Sequence, residues 1–446
     1  MRSVLLLSLF ASLVAGAFPV PAAAAPAVAE TRPDLSSLTG RQAMRIIRRL
    51  VAEGRYDGAR TFVADWSRGD PEAGFRARFV EGLIAGHRGD LDGAIRIYRG
   101  LLADRPGVDM VRIELTRALA AAGDYGAARF QAEKLIAAGV DDKLGGGLER
   151  LVTVLDARRP VRLRGRASLL PSTNINGGTD RETVPLGDLE LDIDEDARRK
   201  SGVGMMLGGD LLIRLPLGGD TDFVSTLSGT GRFYPSIDRT VADVDVSAGF
   251  TRDFGRATVL AAGTAGGTFS DWAETSRYAG IRTEVKKPLP GRWRMFASQS
   301  LRYEKFENLA AKDGWWFQAN VSFDRTLAAS RFIRFLGGYS GGRKQAERFS
   351  FDEVSAGLGV YNEFPAGITL YTQATVARRQ YRGLYPGLTE AQKDTRLSAL
   401  AVVTKRDFSF AGFAPQLFYR FERNVSNAAF EDTARHEIDL RLTRDF

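Results

Sequence analysis

The chain has 446 residues, 26% charged and 44% apolar, which is more than one average domain and too apolar to be mainly disordered. It contains no cysteine, which excludes disulfides, thiolate metal sites, cysteine nucleophiles and lipid attachment at an N-terminal cysteine. The formal net charge of +8 would suit nucleic acid, but the export signal at the start argues against it, and lipid headgroups or an acidic client fit better.

Residues 1–25 read as a secretory signal peptide. Arg2 supplies the positive start, VLLLSLFASLV (4–14) the short apolar stretch, and AAAAPA (22–27) the small residues for cleavage after Ala25. No window of 18 apolar residues follows the first 30 positions, so no spanning helix is predicted.

Residues 30–158 are predicted to form a periplasmic helical domain. Ala, Leu and Arg dominate, and apolar residues recur at three and four, as in IRIYRGLL (95–102). GRYDGA begins at Gly54, GDLDGA at Gly89 and GDYGAA at Gly123. That spacing is the period of tetratricopeptide repeats, two helices per unit, with Gly at the turn and small Ala where helices pack closely. Pro106 follows LLAD, where such a unit ends. Stacked units make a concave face suited to an extended peptide or another protein.

From residue 161 to 446 the apolar period becomes two. Trp315, Phe317, Ala319, Val321 and Phe323 alternate with Trp316, Gln318, Asn320, Ser322 and Asp324. Segments of this kind begin near 161, 202, 222, 241, 257, 275, 291, 313, 330, 349, 366, 393, 411 and 434, which makes fourteen. They are long, aromatic residues cluster at their ends, and tight connections such as LPGR and EFPAG alternate with longer ones. These are the marks of a bacterial outer-membrane barrel. The predicted fold is therefore a two-domain α + β chain: N-terminal tetratricopeptide-like helices, then a 14-stranded antiparallel transmembrane β-barrel. The helical domain lies in the periplasm and the barrel in the outer membrane.

The chain ends in HEIDLRLTRDF. Ile438, Leu440, Leu442 and Phe446 share the lipid-facing parity of the strand that closes the barrel against the first. The opposite parity is predicted to face the lumen. It carries Arg162, Arg164 and Arg166 on the first segment, Asp243 and Asp245 on the fourth, Arg292, Arg294 and Arg302 on the seventh, and Asp439 and Arg441 on the last. Catalysis has no support. His87 sits in the repeats and His436 stands alone, with no base–nucleophile spacing around either. No metal-site motif occurs, and no cofactor is expected. The acidic run Asp192, Asp194, Glu195 and Asp196 is a candidate cation loop or a solvated loop face.

LLPSTNINGGTD (169–180) ends the first segment, and YRFERNVSNAAFEDTARHEIDLRLTRDF (419–446) makes the last hairpin. Through Pro171, Asn174, Asn176, Ser426 and Asn427, and through the repeat-plus-barrel order, the chain resembles the surface lipoprotein assembly modifier (Slam) family. The resemblance implies an outer-membrane translocon for a client, either a surface lipoprotein or a small secreted protein. The barrel would be the conduit and the repeats would face the client or a periplasmic chaperone. The terminal aromatic resembles the signal read by the barrel-assembly machinery. The alternatives are a polysaccharide exporter, which would carry more repeats, and a passive porin, which needs none.

Overall fold

The computed structural model of the protein describes residue 35 and residues 37–443, except 145, 158–159, 187–188, 407 and 409–413. The predicted signal peptide and Phe446 lie outside the described residues.

Among the described residues eight helices come first: α1 (Gly40–Ala52), α2 (Tyr56–Trp66), α3 (Ala73–His87), α4 (Leu91–Asp104), α5 (Asp109–Ala121), α6 (Tyr125–Ala137), α7 (Val140–Lys143) and α8 (Gly147–Ala157). The repeated glycines make the turns α1–α2, α3–α4 and α5–α6. Gly54, Gly89 and Gly123 have φ of 73°, 84° and 80°, a left-handed conformation that costs a residue with a Cβ. Each turn closes the same way: Arg55, Asp90 and Asp124 donate their N–H to the carbonyls of Leu50, Ala85 and Leu119. The repeated alanines Ala59, Ala94 and Ala128 are fully buried, which is why larger side chains are missing there. Phe79, Tyr98, Leu101, Leu115 and Leu119 fill the core that joins successive helix pairs.

The strands follow. They are β1 (Val161–Ser172), β2 (Thr183–Leu186), β3 (Leu189–Asp192), β4 (Gly202–Gly218), β5 (Thr221–Tyr234), β6 (Arg239–Phe254), β7 (Ala257–Ser270) and β8 (Ala273–Leu289). After them come β9 (Trp293–Phe306), β10 (Gly314–Ala328), β11 (Arg331–Lys344), β12 (Phe351–Phe364), β13 (Ile368–Tyr381), β14 (Lys393–Lys405), β15 (Ala414–Ser426) and β16 (Thr433–Thr443). All but β2 and β3 form one closed antiparallel barrel in which β1 lies between β4 and β16. Its fourteen strands match the fourteen predicted segments. The pair β2–β3 is a separate two-stranded sheet inside the first long connection. Strands of four residues are too short for an alternating pattern to register in the sequence.

The alternation sorts the two faces. Leu163, Leu207, Leu217 and Phe250 point outward and are 79%, 70%, 59% and 54% exposed. Such a surface suits hydrocarbon, and a closed barrel leaves no strand edge unpaired within it. No helix among the described residues is long and apolar enough to cross a membrane, so any crossing is made by the strands.

Candidate conduit and its two mouths

Inside the barrel, antiparallel register sets opposite charges side by side. Asp324 faces Arg334 on one neighbouring strand and Arg294 on the other, at 2.7 and 3.4 Å. The sequence-predicted lumen residues fall into such pairs. Arg166 meets Asp210 at 3.2 Å, and Asp243 accepts from Thr268 at 2.9 Å and pairs with Arg232 at 3.4 Å. Asp245 accepts from Thr264 at 3.0 Å and from the Tyr278 hydroxyl. Arg302 pairs with Glu304 at 2.7 Å and lies over the Trp316 and Tyr278 rings, 4.0 and 4.5 Å from their centroids. Asp439 is fully buried between Arg441 and Arg420. Arg162 reaches down to Asp156 of α8, and Arg164 is exposed opposite Asp210 in the β1–β4 register.

Space remains between these pairs. Two recesses of about 280 and 310 Å³ share Asp245, Tyr278 and Arg302 in their walls. A third, of about 510 Å³, lies beside β1 and β16. Arg292 is not among the lumen groups. It occupies the tight β8–β9 turn with φ 63°, donates to the Leu327 carbonyl at 3.4 Å and lies against Gly139 of the helical domain. The strand begins at Trp293, so a segment read from 291 takes in two residues of the turn.

At the end of the barrel away from the helices, the long connections lean on one another. Ala346 donates its N–H to Ala311, Gly383 donates to Glu347, and the Tyr385 and Phe430 rings stand 5.0 Å apart. The first connection completes this girdle. Thr179 Oγ1 donates to the Ala429 carbonyl at 2.7 Å, and Arg239 donates to the Asn176 carbonyl at 3.4 Å. Asp432, almost fully buried, holds Arg423 at 2.5 Å and Arg181 at 3.3 Å.

The motif-like residues all belong to this mouth. Asn174 is buried, and its amide donates to the carbonyls of Gly178 (2.8 Å) and Ala434 on β16 (3.2 Å). Asn176 donates to the Asp196 and Arg198 carbonyls and accepts from the Lys200 N–H at 2.9 Å, knitting the two sides of the loop. Asn427 accepts from the Lys393 N–H at 2.7 Å, fixing the last hairpin to β14, and Ser426 accepts from the Ala428 N–H at 3.0 Å within the hairpin. Pro171 lies in β1. In the acidic run, Asp194 caps its own loop by accepting from the Asp196 N–H, and Asp196 pairs with Lys200 at 2.5 Å. Of the histidines, His87 hydrogen-bonds Tyr56, and His436 hydrogen-bonds Tyr419.

The opposite mouth is crossed by the helical domain. Asp156 of α8 pairs with Arg162 on β1 and with Arg214 on β4 at 3.4 Å. On the far side of the ring, Ala329 of the β10–β11 turn packs among Leu135, Val140 and Leu148. Between these anchors lies a cluster that sequence reasoning missed. Glu363, at the end of β12, is fully buried with Arg112 of α5 at 2.8 Å, Arg406 at 2.8 Å and Lys134 of α6. Lys134 also donates to the Tyr361 hydroxyl at 2.6 Å, and Arg112 donates to the Pro106 carbonyl at 2.8 Å.

Three cations share one carboxylate, so the cluster holds surplus positive charge. Burial pushes the Lys134 ammonium down to about 8; Glu363 partly offsets this, and Arg112 and Arg406 add to it. A lysine released from the cluster returns toward its ordinary value of 10.5. Between those two values the free form binds more protons than the docked form, so docking strengthens as pH rises through that window. Hydrogen exchange in α5 and α6 is expected to slow relative to the unstructured rate from pH 8 upward, and Lys134→Met is expected to abolish that trend.

The sequence profile described as surface lipoprotein assembly modifier matches residues 164–446. Surface lipoprotein assembly modifier 1 of Haemophilus influenzae is 21% identical over 385 residues, covering 83% of this chain and 78% of that protein. The surface lipoprotein assembly modifier of Pasteurella multocida is 20% identical over 398 residues, covering 83% and 77%. Among solved structures, OccAB1 of Acinetobacter baumannii superposes with a TM-score of 0.33 at 11% identity, covering 62% of this chain and 96% of that one.

Proposed function

The chain belongs to the surface lipoprotein assembly modifier family, and from that premise we propose that it carries a lipoprotein client through its barrel to the cell surface. The protein resides in the outer membrane. In this reading the helical domain lies in the periplasm and receives the client, and the charged lumen is the path of the polypeptide. The girdle of connections at the other end faces the medium.

The observation that carries the reading is the placement of the helical domain. It is anchored to β1 and β4 on one side and to the β10–β11 turn on the other, so anything entering the lumen from that side meets the repeats first. A diffusive porin gains nothing from such an obstruction, whereas a receptor for an unfolded or extended client does. The lumen suits a polypeptide. Its paired charges and ring faces offer many weak, exchangeable contacts.

Deleting the gene tests this. Lipoproteins shaved by protease from intact wild-type cells are compared with those shaved from the deletion strain. At least one is expected to become protease-resistant and to return when the gene is restored. An unchanged surface set contradicts the proposal, and loss of surface polysaccharide alone would make the protein a glycan exporter.

A further inference from the structure

We propose that the β1–β16 seam is the slot along which the acyl chains of a lipidated client slide in the bilayer while its polypeptide moves through the lumen. This rests on the reading above that the client is a lipoprotein.

The wall of the barrel is uneven. β1 pairs with β4 without interruption from Val161–Ile213 to Ser172–Gly202, and β15 pairs with β16 from Ala414–Thr443 to Asn424–Thr433. Among the described residues, β1 and β16 pair only at Leu169–Leu440 and Ser172–Glu437. In that register Ala167 and Ser168 face Leu442 and Arg441, yet neither position is paired. Pro171, between the two pairs, has no N–H to give. In hydrocarbon each broken ladder bond leaves polar groups with no partner, so a barrel opens most cheaply where it has fewest bonds to break.

The two sides of this seam differ sharply. Outside it stand Leu163, Leu169, Leu440 and Leu442, all well exposed. Directly inside lies the recess of about 510 Å³, lined by Leu170, Met206 and Tyr234 and by Arg166, Arg420 and Arg441. A diacylated chain loses favourable transfer energy with every methylene drawn into such a charged lumen. A polypeptide loses as much in leaving it for lipid. A seam between the two lets each part of the client stay in the medium it prefers.

The direction of opening also follows. At the loop end the seam is tied by Thr173 N–H to the His436 carbonyl at 3.0 Å, by His436 N–H to Thr173 Oγ1 at 2.9 Å, and by Asn174 to Ala434. Among the described residues, the unpaired positions Ala167, Ser168, Arg441 and Leu442 lie on the helical-domain side of the Leu169–Leu440 pair. The slot therefore opens from the periplasmic side, where a lipidated client arrives, with the Asn174 contacts as its hinge.

A locked seam tests the proposal. The chain has no cysteine, so the pair Leu169→Cys and Leu440→Cys forms the only possible disulfide. Leu227→Cys with Val246→Cys locks β5 to β6 as the control. Each is expressed with one client in two forms, lipidated and fused to a signal peptide that bypasses lipidation. Oxidation of the seam pair, verified by its gel shift, is expected to abolish surface display of the lipidated form, to leave the unlipidated form displayed, and to be reversed by reductant. The control pair is expected to change neither. Where oxidation is incomplete, a short bis-maleimide links the same thiols. Undiminished display of the lipidated client through a locked seam overturns the proposal, and so does equal loss of both forms. If neither form depends on the protein at all, the reading of the function fails instead.

Discussion

Glu363→Gln is expected to free the helical domain from the barrel without unfolding either part. Glutamine keeps the shape of the side chain and removes the one negative charge that Arg112, Lys134 and Arg406 share. Removing one partner of a fully buried ion pair costs about 3–5 kcal/mol, because the remaining charges stay desolvated and unpaired. The other anchors include the Ala329 packing, the Asp156 pairs and the Gly367 N–H donated to the Ala103 carbonyl at 3.4 Å, none of which supplies a buried carboxylate to Arg112 or Lys134. Hydrogen exchange in α5, α6 and the β12–β13 turn should rise sharply. The barrel should keep its heat-dependent gel mobility, since its strand ladder is untouched. Lys134→Met makes the opposite case. It removes a surplus cation, so it should leave docking as strong as before or stronger. A Glu363→Gln protein with native exchange in α5 and α6 would show that packing, not the ion cluster, holds the domain. Export should fall in Glu363→Gln even though both parts are folded, because the client would no longer be delivered to the mouth.

Asp432→Ala is expected to release the first connection from the last hairpin. Asp432 is the carboxylate that both Arg181 and Arg423 approach, and its own carbonyl accepts from Thr179. Losing it leaves Arg423 with only Asp180 at 3.9 Å and releases the more exposed Arg181, which costs about 1–3 kcal/mol of local stability. The connection carries Arg198, Arg199 and Lys200, three trypsin sites that the folded loop protects through the Arg198–Ile193, Arg199–Asp180 and Lys200–Asp196 contacts. Trypsin added to intact cells should nick the Asp432→Ala protein there and spare the wild type. The same variant should raise single-channel conductance in planar bilayers. Cleavage only after cells are lysed would place this mouth on the periplasmic side and invert the proposed orientation.

Much of the architecture was legible because it rests on local rules. The three glycine turns announce themselves through GRYDGA, GDLDGA and GDYGAA, since a left-handed position at fixed spacing leaves a visible mark. The barrel strands announce themselves through alternation, because each faces lipid on one side and a polar lumen on the other. What stayed hidden depends on contacts between distant parts. Glu363 sits in EFPAG, which reads as an ordinary polar turn. Nothing nearby shows that α5 and α6 bring Arg112 and Lys134 to it. Arg292 was misplaced for a related reason. At a strand end one position separates a lumen residue from a turn residue, and parity alone does not mark the boundary. Asn174 and Asn176 stand out by their spacing, but that Asn174 ties the loop to β16 while Asn176 joins the two sides of the loop depends on residues the motif does not contain. The sparseness of the β1–β16 seam was equally invisible, since β16 carries the same alternation as its neighbours.

The most direct test of a client path through the lumen is site-specific photocrosslinking during export. A benzophenone amino acid replaces Trp316, which lines the lumen recess beside Arg302, and in a parallel strain replaces Phe335 on the lipid-facing surface. Irradiation of growing cells should yield an adduct between the Trp316 position and a lipoprotein whose surface display is lost on deletion. The Phe335 position should yield none. A lipoprotein that reaches the surface in a protein-dependent manner while leaving no adduct at Trp316, or one only at Phe335, would contradict passage through the barrel.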